Sequence, residues 1–91
     1  MEYTPNNEVS SGRELAAIMF TDIVGYTVMM QKDEEDGLRR VEHHRIILER
    51  YISLHNGKIL QYYGDGTLSI FESAYDAVLC AIDIQKELSK E

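Results

Sequence analysis

Asp22 and Asp65 are the two residues of this 91-residue chain whose settings point most directly to chemistry. Asp22 follows an apolar run, residues 15–21 (LAAIMFT), and opens the turn Asp22-Ile23-Val24-Gly25. Asp65 stands between Gly64 and Gly66, where the β-prone run KILQYY gives way to TLSIF. Both are strand-end positions, so both carboxylates reach one edge of a sheet if their strands are neighbours. Two carboxylates converging there are hard oxygen donors suited to an ion such as Mg²⁺. Bridging two ions ~3.5–4 Å apart, they can support an in-line displacement at phosphorus. Gly25 removes a side chain where a ligand approaches the backbone, and amides at the start of the following helix favour a phosphate. A carboxylate–metal pair beside such a helix start is the equipment of phosphoryl transfer. Taken singly, an Asp after a strand is often a helix cap and an Asp-Gly often a plain turn; the signal lies in the pair and in the residues around it.

The elements that must position this pair follow from periodicity. Residues 15–21 read as a strand buried on both faces, because the apolar run is nearly unbroken. Residues 26–31 form a short helix or turn. Asp33 caps the next helix, with acids at 34–36 favourable to its N-terminus. On that helix Leu38, Val41, Leu48 and Ile52 give an apolar stripe with Arg45 inside it, flanked by His44, Ile47 and Tyr51. Asn56-Gly57 is a helix stop, since glycine tolerates the left-handed position that follows a helix. The runs 58–63 and 67–71 are the strands of a hairpin turning at Gly64-Asp65-Gly66, with Asp-Gly as the turn signal. Ser73, with Asp76 three residues on, caps a last helix, for which Ala74, Ala77, Val78, Ala81, Ile82 and Leu88 are the expected inner face. The order strand, short helix, long helix, hairpin, helix predicts an α/β (α+β) fold with an antiparallel hairpin. Residues 1–12 read as a flexible, polar lead-in rather than a signal peptide.

Bulk composition narrows the function classes. Hydrophobic residues make up 44% of the chain, as in a globular fold. The formal net charge of −7 opposes wrapping of nucleic acid and a basic membrane patch. No apolar run approaches the ~20 residues of a membrane span. The single cysteine, Cys80, allows no intrachain disulfide and makes a reducing, cytoplasmic setting the expectation; a buried, inert thiol is its expected state.

Phe20-Thr21-Asp22-Ile23-Val24-Gly25-Tyr26-Thr27 resembles the first signature of class III adenylate and guanylate cyclases. Tyr63-Gly64-Asp65-Gly66-Thr67-Leu68, with Phe71 shortly after, resembles the second. The resemblance covers residues 13–91 and implies the N-terminal half of such a catalytic domain, a ferredoxin-like βααββα half-domain. It implies that Asp22 and Asp65 bind two Mg²⁺ or Mn²⁺ ions, with the Ile23 carbonyl also facing a metal. It assigns the triphosphate to the backbone of Ile23, Val24, Gly25, Tyr26 and Thr27. The reaction implied is attack of the ribose 3′-hydroxyl on the α-phosphorus, giving a 3′,5′-cyclic nucleotide and pyrophosphate. The substrate implied is ATP ahead of GTP, and the partner a second cyclase domain, most simply in a homodimer.

Two departures from the family pattern bear on this reading. Where adenylate cyclases of the family often carry Lys and guanylate cyclases Glu, this chain has Gln61, whose amide both donates and accepts. The family's C-terminal half, with transition-state donors, is expected to be absent and the chain inactive alone, since such donors are worth orders of magnitude in rate. The alternative reading is a catalytically silent cyclase-homology domain that binds a nucleotide or dimerises. A phosphoacceptor receiver domain also places an Asp after a buried strand, but the Gly64-Asp65-Gly66 hairpin fits it poorly. A diguanylate cyclase carries a different hairpin motif.

Other residues admit plainer readings. His43 and His44, adjacent on a helix, point about 100° apart and make a poor chelate; with His55 they are expected to be solvated or half-buried. Tyr62 and Tyr63 face opposite sides of a strand. Met19, Met29 and Met30 are core or interface filler. Arg45 is expected to snorkel to the helix edge, ahead of the alternative that it meets an acidic group on a partner subunit.

Overall fold

The computed structural model describes residues 15–90; the expected lead-in at residues 1–12 lies outside them. Six elements follow in order: β1 (Ala17–Thr21), α1 (Tyr26–Lys32), α2 (Glu34–Leu54), β2 (Lys58–Tyr63), β3 (Gly66–Phe71) and α3 (Ala74–Leu88). This is the βααββα order the sequence predicts. The strands form one antiparallel sheet in the order β1-β3-β2, an α+β arrangement compatible with a ferredoxin-like half-domain.

β3 lies in the middle, and its alternation sets the layers. Thr67, Ser69 and Phe71 are buried under the helices. Thr21, Met19 and Ala17 of β1 stand opposite them in register. Leu48 and Ile52 of α2, Phe71, and Cys80 and Ile84 of α3 form the core, with Ala17, Met19, Tyr51, Ile59, Ala77 and Leu88 packed around it. The buried Ser69 hydroxyl donates to the Met19 carbonyl at 3.2 Å, so its polar atom is satisfied.

The structure corrects several sequence expectations. β1 is not buried on both faces: Ile18 and Phe20 are 70% and 56% exposed, while Ala17, Met19 and Thr21 are partly covered. The two helices that pack on the sheet, α2 and α3, cover one side, and an antiparallel sheet tolerates an open second face. On α2 the buried set is Gly37, Val41, His44, Ile47, Leu48 and Ile52, while Leu38 is exposed. Gly37 belongs to this face because α1 crosses there; a Cβ on it would meet the Met30 sulfur at 2.4 Å. On α3 the inward stripe runs Ala77, Cys80, Ile84 and Leu88, while Val78 and Ile82 point outward.

Both helix caps follow local chemistry. Asp33 Oδ1 and Ser73 Oγ each accept the backbone amide three residues on, at 3.1 Å. At the end of α2 the left-handed residue is Asn56 (φ 63°) rather than Gly57. The Gly57 amide donates to the Ile52 carbonyl at 2.7 Å and the Asn56 amide to Ser53 at 3.1 Å, the paired bonds of a Schellman cap. Gly57 serves packing instead: a Cβ there would lie 2.4 Å from the Phe71 ring.

Candidate functional site

β1 and β3 are hydrogen-bonded neighbours, with Thr21 opposite Thr67. The residue after β1 and the turn before β3 therefore fall at the same edge of the sheet. That register brings Asp22 and Asp65 together, as their strand-end positions predict. A single backbone group joins them: the Ile23 amide donates to Asp22 Oδ1 at 2.9 Å and to Asp65 Oδ2 at 3.1 Å.

The hairpin tip is a two-residue turn, Gly64-Asp65, between β2 and β3. Its positive φ (61°) is at Gly64, the first central residue, as in a type II′ turn. The Asp-Gly pair is thus not the turn itself. Gly66 already belongs to β3, where a Cβ would lie 2.9 Å from the Phe20 ring and 3.1 Å from the Thr21 carbonyl. Gly64 frees the backbone to turn, and Gly66 lets the hairpin close onto β1 beside Asp22.

The loop from Asp22 to α1 is equally specific. Gly25 is left-handed (φ 75°, ψ 21°) and precedes the helix without a side-chain cap. Nothing lies within 4 Å of where its Cβ would be. The conformation, rather than a close protein neighbour, calls for glycine. The first i→i−4 bond of α1 runs from the Met29 amide to the Gly25 carbonyl at 2.9 Å, so the amides of Tyr26, Thr27 and Val28 precede the helical ladder.

The two carboxylates do not titrate alike. The Asp22 pKa is raised, first by sharing a hydrogen bond with Asp65, against the lowering pull of the Ile23 amide. Burial pushes Asp65 upward, but hydrogen bonds from the Asp22 carboxyl, the Ile23 amide and its own amide, with help from His44, hold it below the ordinary value. Like charges at contact disfavour joint ionisation. A bound cation relieves that conflict, and oxygen is the donor a hard divalent ion takes, so the pair fits Mg²⁺ or Mn²⁺. Among the described residues no cluster of three or more His, Cys, Asp or Glu side chains gathers that could hold a metal ion.

A cleft of about 610 Å³ opens beside Asp22, lined also by Ile23, Met29, Arg39, His43 and His44. His44 is buried, against the expectation of a solvated or half-buried ring, whereas His43 is exposed. Gln61 is exposed on β2, in register with Leu68 and through it with Phe20 on the open face. It lies three residues before Gly64, roughly 10 Å of strand rise. Tyr63 shares that open face and packs its ring on Phe20, centroids 5.8 Å apart. Tyr62 faces the other way, onto α2, as strand alternation predicts.

Arg45 is the residue whose role the sequence reading missed. It does not snorkel to solvent alone: Nη2 donates to the Gly64 carbonyl at 2.9 Å, and the guanidinium lies 4.4 Å from the centre of the Tyr62 ring. Its legible signal was a cation within an apolar stripe, a placement that calls for a partner.

No family model matches the chain. It is 36% identical over 78 residues to "Putative adenylate cyclase 3" of Rhizobium meliloti (strain 1021), a match covering 85% of this chain and 13% of that protein. It is 33% identical over 72 residues to "Serine/threonine-protein kinase pkn2" of Myxococcus xanthus, covering 78% of this chain and 9% of that protein. The chain thus spans a small part of the length of the curated relatives it matches. The first likeness marks residues of this chain as a cyclase-like region. No helix among the described residues is long and apolar enough to cross a membrane.

Proposed function

We propose that this chain is the metal-binding part of a nucleotidyl cyclase that converts a nucleoside triphosphate, ATP in preference to GTP, to a 3′,5′-cyclic nucleotide and pyrophosphate. The observation that carries the reading is the convergence of Asp22 and Asp65 on the Ile23 amide. The likeness to a protein named as an adenylate cyclase supports it and favours ATP.

In this proposal Asp22 and Asp65 hold two Mg²⁺ or Mn²⁺ ions, with the Ile23 carbonyl as a further donor. Bound there, such ions would neutralise phosphate charge and ease ionisation of the ribose 3′-hydroxyl. The chain's own contribution is positioning. The Ile23 amide fixes the relative placement of the two carboxylates. Gly25 turns the backbone so that the amides of Val24, Gly25, Tyr26 and Thr27 present donors to the triphosphate. Gln61, with an amide that donates and accepts, is the candidate reader of the base. A second cyclase domain completes the site, and the exposed apolar face bearing Ile18, Phe20 and Tyr63 supports such a partner.

A cyclase assay on the full-length protein, with ATP and with GTP in Mn²⁺ or Mg²⁺, tests the proposal beside Asp22→Ala and Asp65→Ala. Cyclic product from the wild type, lost in both variants, is the expected result and settles the base. A folded, dimeric protein that forms no product under either metal would be a silent nucleotide-binding or dimerisation module, the alternative that Gln61 leaves open and that the presence of both aspartates opposes.

A further inference from the structure

A metal site made of two carboxylates on two different strand ends depends on how firmly the hairpin tip is held. The tip is exposed, and glycine at its first position makes it flexible in the absence of other contacts. A side chain of α2 reaches its backbone. Arg45 Nη2 donates to the Gly64 carbonyl at 2.9 Å, the residue immediately before Asp65. Its guanidinium stacks over Tyr62 at 4.4 Å, and the Tyr62 hydroxyl donates to Glu49 on the next turn of α2. Arg45 is therefore held at two points: the Gly64 carbonyl takes its Nη2, and the Tyr62 ring, itself anchored by Glu49, lies against its guanidinium. From Gly64 the path continues through Asp65 to the Ile23 amide and Asp22.

We infer that Arg45 is a positioning residue that locks the β2–β3 turn, so that Asp65 stays against Ile23 and the two carboxylates form one divalent-cation site. The functional part of this inference rests on the metal-binding reading above. The mechanical part does not: it concerns the hold of α2 on the turn, whatever binds there. Arginine suits the task because its flat guanidinium can stack on a ring and donate in its own plane at once; a lysine ammonium can reach the carbonyl but cannot stack in that way.

The test uses the 91-residue chain and the variants Arg45→Met and Arg45→Lys. Amide hydrogen exchange followed by NMR reads the Ile23 amide, the donor to Asp65, against core amides such as Leu48 and Phe71. Arg45→Met is expected to speed exchange at Ile23 and around the turn by about ten-fold, the loss of one charge-assisted bond, with core amides unchanged. Arg45→Lys is expected to fall between the two, and it carries the test if the methionine variant does not fold. Unchanged exchange at Ile23 overturns the inference. Equal acceleration at every amide overturns it too, since it would make Arg45 a general stabiliser. Mn²⁺ titration gives the second arm: affinity falls in Arg45→Met and is lost in Asp22→Asn. A wild type that binds no Mn²⁺ sinks the metal reading, while the exchange arm still decides the role of Arg45.

Discussion

The Ile23 amide donates to Asp65 Oδ2 at 3.1 Å across 42 positions of sequence, while the same N–H reaches Asp22 Oδ1 at 2.9 Å. One donor thus serves two carboxylates, and the cost is charge repulsion between them. The sign of the pH dependence follows from the two opposed shifts. Asp22, its pKa raised by Asp65, holds its proton more tightly folded than unfolded. Its contribution to stability is fully present below the ordinary value of 3.8 and is lost as pH rises through the raised value. Asp65, its pKa lowered on balance, contributes stability above 3.8 that is lost as pH falls through the lowered value. Near neutral pH, Asp22→Asn is therefore expected to raise the melting temperature in chelator and to abolish the further rise that Mn²⁺ gives the wild type. Scanning calorimetry with and without Mn²⁺ checks both. A lower melting temperature for the variant in chelator would show that repulsion does not govern the metal-free pair.

Tyr62 gives a second pH signature, on the far side of the hairpin from Phe20. Burial, then the hydrogen bond to Glu49 and its charge, push the phenol up to about 12, although Arg45 pulls the other way. The folded chain keeps this proton where the unfolded chain releases it. The stability it contributes is complete below the ordinary value of 10 and disappears as pH rises through about 12. Absorbance at the phenolate band should show Tyr62 titrating late, and Glu49→Gln should move it back toward 10. A Tyr62 that titrates at the ordinary value of 10 would mean that the Glu49 contact does not persist in solution.

Much of this was legible in the residues, and what was not has physical reasons. The order of the six elements and the type of all but α1, which read as a helix or a turn, follow from periodicity and caps; Asp33 and Ser73 cap as read, and α2 stops at Asn56-Gly57, with Asn56 rather than Gly57 left-handed. The convergence of Asp22 and Asp65 was readable only conditionally, because it requires β1 to pair with β3, which no local rule supplies. The failures concern faces. LAAIMFT looked buried on both sides because Ile18 and Phe20 are apolar, but apolar residues stand on open surfaces too. On α3 the choice between Val78 and Cys80 as inward residues depends on which helix face meets Phe71, a tertiary matter. The division of labour between Gly64 and Gly66 depends on how closely β1 approaches the hairpin.

The core predicts the behaviour of Cys80. Its thiol is fully buried, and burial first, then the charge of Asp83, push its pKa up to about 11. A thiol reagent at pH 8 should leave the native chain unlabelled and react fully once it is unfolded, because both thiolate and access are lacking. Leu48, also fully buried and in the same cluster, is the site to perturb it. Leu48→Ala should cost about 2–5 kcal/mol in denaturant unfolding and speed labelling of Cys80 in proportion to the larger unfolded population. Fast labelling of the wild type under native conditions would contradict the packing of α3 described above.

Thr21 offers a prediction of the opposite sign. Its Oγ1 is buried without a hydrogen-bond partner among the described residues, on the helix-facing side of β1 opposite Thr67. A buried hydroxyl without a partner carries a desolvation penalty of about 1–3 kcal/mol. Valine keeps the branched shape that a strand favours and removes the polar atom. Thr21→Val should therefore stabilise the fold by about 1 kcal/mol, seen as a higher urea midpoint at unchanged slope. Thr21 precedes Asp22 but contributes no carboxylate, so Mn²⁺ affinity should be unchanged. A variant that loses both stability and Mn²⁺ affinity would show instead that the hydroxyl has a partner in the working site, and that β1 is held in place for Asp22 by that bond.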